Sequence, residues 1–274
     1  MSLTNFIPTI WSARLLANLD KALVYGNLVD RSYEGEVRFG NTLKLNRPDN
    51  ITVGDYSGTV TYQSPTSTQR TLTIDQQKYF AFKVDDISRV QANVDLIDAY
   101  SQRAAYALAD AVDQYIASLY TEAGAGTATL DITGASPDVY GAFVELGRLL
   151  DEQNVPRQGR WVVVSPKVYA ALLRDQNFIR ATETGQQMLL TGAVGQVAGF
   201  SVFVSNNVPV VTGDTTQHKC LAGINTAIAF AGNVQQIESI RLQDEFATGV
   251  RGLYVFGAVA AEPDALAVLD VTVA

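Results

Sequence analysis

Hydrophobic and polar positions change rhythm several times along the chain. Between residues 35 and 84, apolar residues alternate with polar ones: Leu43 with Leu45, Leu72 with Ile74, then Phe80, Phe82 and Val84. A period of two predicts strands that bury one face. Between these positions lies DYSGTVTYQSPTSTQRT, rich in Thr and Ser and poor in large apolar side chains. The segment therefore predicts a long β-hairpin with a polar far end. Arms of about 20 residues at ~3.3 Å each reach tens of ångströms. An isolated two-stranded ribbon is marginal in water, so a neighbouring subunit is its expected support. A loop folded back on its own domain is the alternative.

The rhythm then becomes helical. Over 87–121, Val90, Val94, Ile97, Ala104, Leu108, Ala111 and Tyr115 recur at spacings of three and four, interrupted by Ser101. Gln91, Asp95, Asp98, Gln102, Asp110 and Asp113 are the polar positions around this stripe. Ser88 with Gln91 resembles a capping box, Asp85-Asp86 suit the helix dipole, and Gly124 is a natural stop. A helix of about 34 residues is ~50 Å long, as wide as a compact ball of this chain length. A flat, elongated subunit accommodates it better than a sphere. A coiled coil is the competing reading, but the stripe runs into globular sequence. Upstream, Trp11, Leu15, Leu16 and Leu19 predict a short amphipathic helix within an otherwise extended arm, 1–34.

Residues 128–240 read as a separate α/β unit. A helix over 138–153 presents Val139, Phe143, Leu146 and Leu150, and Arg160-Trp161-Val162-Val163-Val164 reads as a buried strand. Ser165-Pro166 opens a second helix with Val168 and Leu172 as its core. The stretch 177–195 is polar and irregular, Phe200, Val202 and Val204 alternate as a strand before the turn Asn206-Asn207, and 220–231 is strand-rich. After the charged turn 241–246, strands are expected at 253–259 and 266–273, around Glu262-Pro263-Asp264. These last strands are expected to pair with the hairpin base near 79–84 and to cover the long helix. The fold class is α+β.

Composition narrows the chemistry. The chain has 274 residues, 47% hydrophobic, with one cysteine and one histidine. This excludes general disorder and a disulfide framework. No apolar run reaches the ~18 residues of a membrane helix, and MSLTNFIPTIW lacks the pattern of a secretory signal. Folding is expected in the cytosol. The net charge of −8 disfavours tight nucleic-acid binding, which depends on Lys and Arg at phosphates. A zinc site needs more Cys and His ligands than this chain has, so neither metal nor cofactor is expected. Strand alternation is expected to keep His218 and Cys220 apart, with His218 on the solvent side and Cys220 buried. No G-x-S-x-G elbow is present, and Gly124-Ala125-Gly126-Thr127 lacks the ending of a phosphate loop and reads as a flexible linker. The Gly192, Gly195, Gly199 series misses the dinucleotide spacing. No catalytic site is expected.

Several local sequences, in order, resemble one branch of the major capsid proteins of tailed bacteriophages, the Hong Kong 97 phage fold. They are WSARLL at 11–16, Leu28-Val29-Asp30-Arg31 with Tyr33-Glu34-Gly35-Glu36, and Phe39-Gly40-Asn41-Thr42-Leu43-Lys44. Tyr79-Phe80-Ala81-Phe82 with Val84-Asp85-Asp86 and Gly232-Asn233-Val234 follow. Gln243-Asp244-Glu245-Phe246 with Val250-Arg251-Gly252-Leu253-Tyr254 completes the series.

The resemblance implies an N-arm at 1–34, an extended E-loop at 35–84, a P-domain at 85–127 and 241–274, and an A-domain at 128–240. It implies hexamers and pentamers of the chain that close into an icosahedral shell around double-stranded DNA, assembled in the host cytoplasm. A separate scaffolding protein, a portal and in some cases a decoration protein are the implied partners, with no membrane. The turn 241–246 matches the family's three-fold contact. Arg241 paired with Asp244 or Glu245 of a neighbour is the expected interface, against an ordinary solvated turn. Trp11, Tyr56 and Tyr62 are further expected interface residues. An encapsulin-like shell that packages a cargo enzyme is the alternative within this architecture. A lectin-like β protein or an enzyme are the alternatives outside it.

Overall fold

The computed structural model describes residues 23–34, 42–48, 51, 53, 55, 62–64, 67–85, 96–134, 137–175, 195–211, 214–241 and 247–273. Period-two alternation produces strands where it was read. β1 (Thr42–Pro48) pairs antiparallel with β2 (Ser67–Thr73), placing Leu43 opposite Leu72. β3 (Gln76–Asp85) follows, then helix α1 (Leu96–Ser118), which tightens into a 3-10 turn over Leu119–Glu122. The expected capping box and the stripe positions Val90 and Val94 lie outside the described residues, as do the helix expected near Trp11 and the polar stretch expected at 177–194.

β4 (Gly126–Asp131) leads to α2 (Val139–Glu152), β5 (Trp161–Val164) and α3 (Pro166–Arg174). β6 (Gln196–Val197) and β7 (Phe200–Val204) are joined by Ala198-Gly199, both at positive φ, the backbone a two-residue hairpin turn requires. β8 (Val210–Val211), β9 (Asp214–Gly223), β10 (Ile228–Arg241), β11 (Ala247–Ala260) and β12 (Leu266–Thr272) complete the chain.

Among the described residues, three sheets result. The β1–β2 ribbon stands alone, β10-β11-β3 form a three-stranded antiparallel sheet, and β4-β12-β9-β5-β7-β6, with β8 on β9, form a mixed seven-stranded sheet. β11 pairs with β3 as expected, Tyr79 lying opposite Leu253. β12 does not join them. It pairs in parallel with β4 and antiparallel with β9, inside the larger sheet. Its burial explains this: Leu266, Ala267, Leu269 and Val271 are fully buried, so it needs cover on both faces. β10, expected within the α/β unit, lies instead in the three-stranded sheet. The stretch expected as a flexible linker is also tied down, Gly124 N–H donating to Pro263 O at 2.8 Å and Ala125 N–H to Leu266 O at 3.0 Å.

One continuous core runs beneath both larger sheets. In α2, Val139, Phe143, Leu146 and Leu150 are fully buried, matching their spacing. The helix is capped at its start by Asp138, which accepts from Gly141 N–H at 2.9 Å, and by Asp175 from the end of α3, which accepts from Tyr140 N–H at 2.8 Å. Arg160, read from sequence as one end of an apolar strand, is a buried cation. It donates to the carbonyls of Val155, Pro156 and Gly147 and pairs with Asp151 at 2.7 Å. It thereby satisfies the turn between α2 and β5.

On α1 the buried line is Ala105, Leu108, Ala109, Val112 and Ile116, rotated from the expected stripe. Ala104, Ala111 and Tyr115 flank it, half-buried. The rotation comes from residues 23–27, whose 3-10 turn packs on the helix and buries Tyr25 completely. Asp113, expected as a polar surface position, fastens that turn. Its carboxylate accepts from Val24 N–H at 2.7 Å and Gly26 N–H at 3.1 Å.

Burial pushes the Asp113 carboxyl up to about 6; the amides of residues 24–26 pull the other way and the nearby Asp110 charge adds to the rise. A carboxyl raised on folding favours the fold below its unfolded pKa near 3.8, and that contribution is lost as pH rises through about 6. Replacing Asp113 with Asn removes this titration. The variant is expected to lack a fall in unfolding free energy of up to about 3 kcal/mol that wild type shows between about pH 4 and pH 7, read by urea melts across that range.

Candidate assembly interface

The residues that suggested catalysis come out inert. His218 and Cys220 both lie on β9, two positions apart, so they share a face of the sheet; alternation does not separate them. Burial separates their chemistry. Cys220 is fully buried and its thiol is pushed up to about 12 by desolvation, although the Ser165 amide pulls the other way. The thiolate that a nucleophile needs is therefore scarce. His218 is half-buried rather than on the solvent side, with Nδ1 enclosed and lacking a hydrogen-bond partner. Burial and the Lys167 charge lower its pKa. Among the described residues, no group of His, Cys, Asp and Glu could hold a metal ion.

The informative geometry is on the surface. Much of the apolar exposure falls on two places. The first is the far end of the hairpin, where Ile51, Val53 and Tyr62 are 77%, 94% and 91% exposed. The second is the outer face of the three-stranded sheet. Cross-strand register places Tyr79, Leu253, Ala81, Arg251 and Glu238 on that face, and Ile240 opposite Gly249. The end of this face nearest the hairpin root is covered by the root itself: Leu72 and Ile74, with Leu43, Leu45 and Tyr33 beside them, pack with Ala231, Val255 and Val259. At the other end Tyr79 is 79% exposed, and a cavity of about 490 Å³ opens beside Ala81, Phe82, Ile240 and Val250.

Of the expected interface residues, Arg241 ends β10 opposite Thr248, at that bare end, and Tyr62 lies on the hairpin. Trp11, Tyr56, Asp244 and Glu245 lie outside the described residues. Sequence reading missed the outer-face set of Tyr79, Leu253 and Ile240; their period-two spacing toward the unburied side was the available signal. Several surface charges pair within the chain. Arg148 pairs with Glu145 and Glu152, Arg157 with Asp151, Arg251 with Glu238 and Lys219 with Asp270.

A family model described as phage capsid protein matches residues 69–269, well over half of the 274. The chain belongs to the phage capsid protein family. A solved structure from Mycobacterium phage Che8 is 30% identical, covers 90% of each chain and superposes with a TM-score of 0.73. The capsid of cyanophage P-SCSP1u is 17% identical over 92% of this chain and 89% of that one, TM-score 0.73. A virus-like particle from Pyrococcus furiosus, 13% identical over 96% and 99%, shares the fold at a TM-score of 0.60. No curated protein matches. The fold is the Hong Kong 97-like one, and the chain is a major capsid protein, a structural subunit of virion shells that form by self-assembly.

For this capsid protein, a thiol-specific disulfide reagent is expected to leave Cys220 unmodified for hours in the native state and to titrate it fully in denaturant. Fast native reaction would show that the thiol is accessible.

Proposed function

We propose that this capsid protein builds the icosahedral shell enclosing the double-stranded DNA of a tailed phage, as hexamers and pentamers of one chain. The observation that carries this reading is the family match over residues 69–269, on a chain whose hairpin end and outer sheet face both present uncovered apolar side chains. Contiguous apolar surface of this kind marks sites of association. In this reading residues 1–34 are the arm, 35–84 the extended loop that reaches a neighbour, α1 with the three-stranded sheet the P-domain, and the seven-stranded unit the A-domain around capsomer centres. Tyr62, Tyr56 and Trp11 contact neighbouring copies. Arg241 meets Asp244 or Glu245 of another copy at three-fold positions, which Arg241's place at the bare end of the sheet supports.

A separate scaffolding protein, a portal and a decoration protein are the further partners in this reading, with assembly in the host cytoplasm. The net charge of −8 suits a wall along which DNA slides during packaging. The family match favours DNA packaging over an encapsulin-like cargo shell; the likeness to the Pyrococcus furiosus particle is one of fold.

Purified protein, alone or with its scaffold, is expected to form rings or closed shells by electron microscopy; a strict monomer under every assembly condition would overturn this reading. Replacing residues 50–66 with a short turn is expected to change the subunit's melting temperature by no more than a few degrees, since surface changes usually cost under ~0.5 kcal/mol, while abolishing closed shells.

A further inference from the structure

Among the described residues, the ribbon meets the body at a deeply buried seat, with Leu43 and Leu45 of β1 packed beside it, and at two shallow contacts. The deep contact is at 72–74. Leu72 is fully buried and Ile74 nearly so. The backbone of Thr73 lies so close to β11 that a Cβ on Gly257 would sit 2.2 Å from the Thr73 carbonyl oxygen. This point fixes where the ribbon joins the sheet.

The shallow contacts lie on either side of it. Two residues before Leu72, the Arg70 guanidinium donates to Ala260 O at 2.9 Å and stands 4.0 Å from the Glu122 carboxylate. One residue after Ile74, the Asp75 carboxylate accepts from the Tyr115 hydroxyl at 3.1 Å. Tyr115 and Glu122 are seven residues apart along α1 and its 3-10 extension, so both contacts anchor the ribbon to the same helix. The Tyr115 ring is held in place by an edge-on contact with Phe256, 5.5 Å between centroids. Its hydroxyl, raised to about 12 by burial and the Asp75 charge, remains a donor at ordinary pH.

We infer that Arg70, Asp75, Tyr115 and Glu122 form a lock that sets the direction in which the ribbon leaves the body, and that through this direction they select the curvature at which subunits join. They are positioning residues, and the second clause rests on the shell-forming reading above. The division of labour is physical. The pivot is buried and stable. The side chains of Arg70 and Glu122 are 40% and 41% exposed. Exposed pairs of this kind contribute little to stability. The angle can therefore change while the fold stays intact.

The test uses Tyr115→Phe and Glu122→Gln, separately and together, each preserving side-chain shape. Spin labels are placed on the full chain at Val53→Cys and Gln102→Cys; Cys220 is buried and does not label. In unassembled subunits the label-to-label distance distribution is expected to be narrow in wild type and at least twofold broader in the double variant, with melting temperatures within a few degrees. Assembled variants are expected to give a wider spread of particle diameters, with open sheets or tubes, by electron microscopy. Identical distance distributions and identical shells in all variants would overturn the lock. So would a melting temperature lowered by more than ~5 °C with unchanged distances, which would place these residues in the fold alone. Wild type that forms no shells would overturn the capsid reading and the curvature clause, while the distance measurement would still decide the lock.

Discussion

The seating of β2 on β11 is the contact on which the rest of the arrangement depends. β11 is shared by two neighbours, β10 and β3, and its inner face carries Tyr254 and Phe256 into the core beneath α1. Its outer face receives Leu72 and Ile74 where Gly257 leaves room for the Thr73 backbone. A two-stranded ribbon has too little buried surface to hold itself together in water. Without that seat, β1 and β2 would have no fixed relation to the body. With it, the ribbon is held at its root and bare at its end, which is the form a subunit needs if it is to be completed by its neighbours.

Much of this was legible from residue spacing. α2 followed its apolar positions because it has one buried side, and Pro166 opened α3 as its fixed φ allows. β3 and β11 are strands where the alternation placed them. The stripe on α1 was misjudged by about one position because a second surface, residues 23–27, covers the helix from another side, and no periodicity reports on a distant segment. Asp113 and Arg160 were misread for a related reason. Each is a charge held largely by backbone groups, amides for Asp113 and three carbonyls for Arg160 beside its Asp151 partner, and side-chain patterns do not reveal backbone partners.

The exposed apolar surface was legible only in outline. Composition announced a long hairpin whose far end carries little core, and the structure leaves Ile51, Val53 and Tyr62 exposed there. Tyr79, Leu253 and Ile240 come from three different strands and meet on one face only through the register of β10, β11 and β3. Separations of more than a hundred residues between β3 and β11 leave no local trace. Of the two residues that raised a catalytic reading, Cys220 is enclosed and His218 Nδ1 has no hydrogen-bond partner to orient the ring.

The position of β12 has a consequence for how the chain is made. This strand lies between β4 and β9, joining a segment that begins at residue 126 to one that begins at residue 214. The larger sheet cannot close until residues 266–272 have left the ribosome, because their pairing is long-range and local folding cannot replace it. A translation product broken off before that point keeps an open strand edge and a core without its lid, a target for proteases and chaperones. Only a finished chain can therefore present a closed larger sheet to its neighbours.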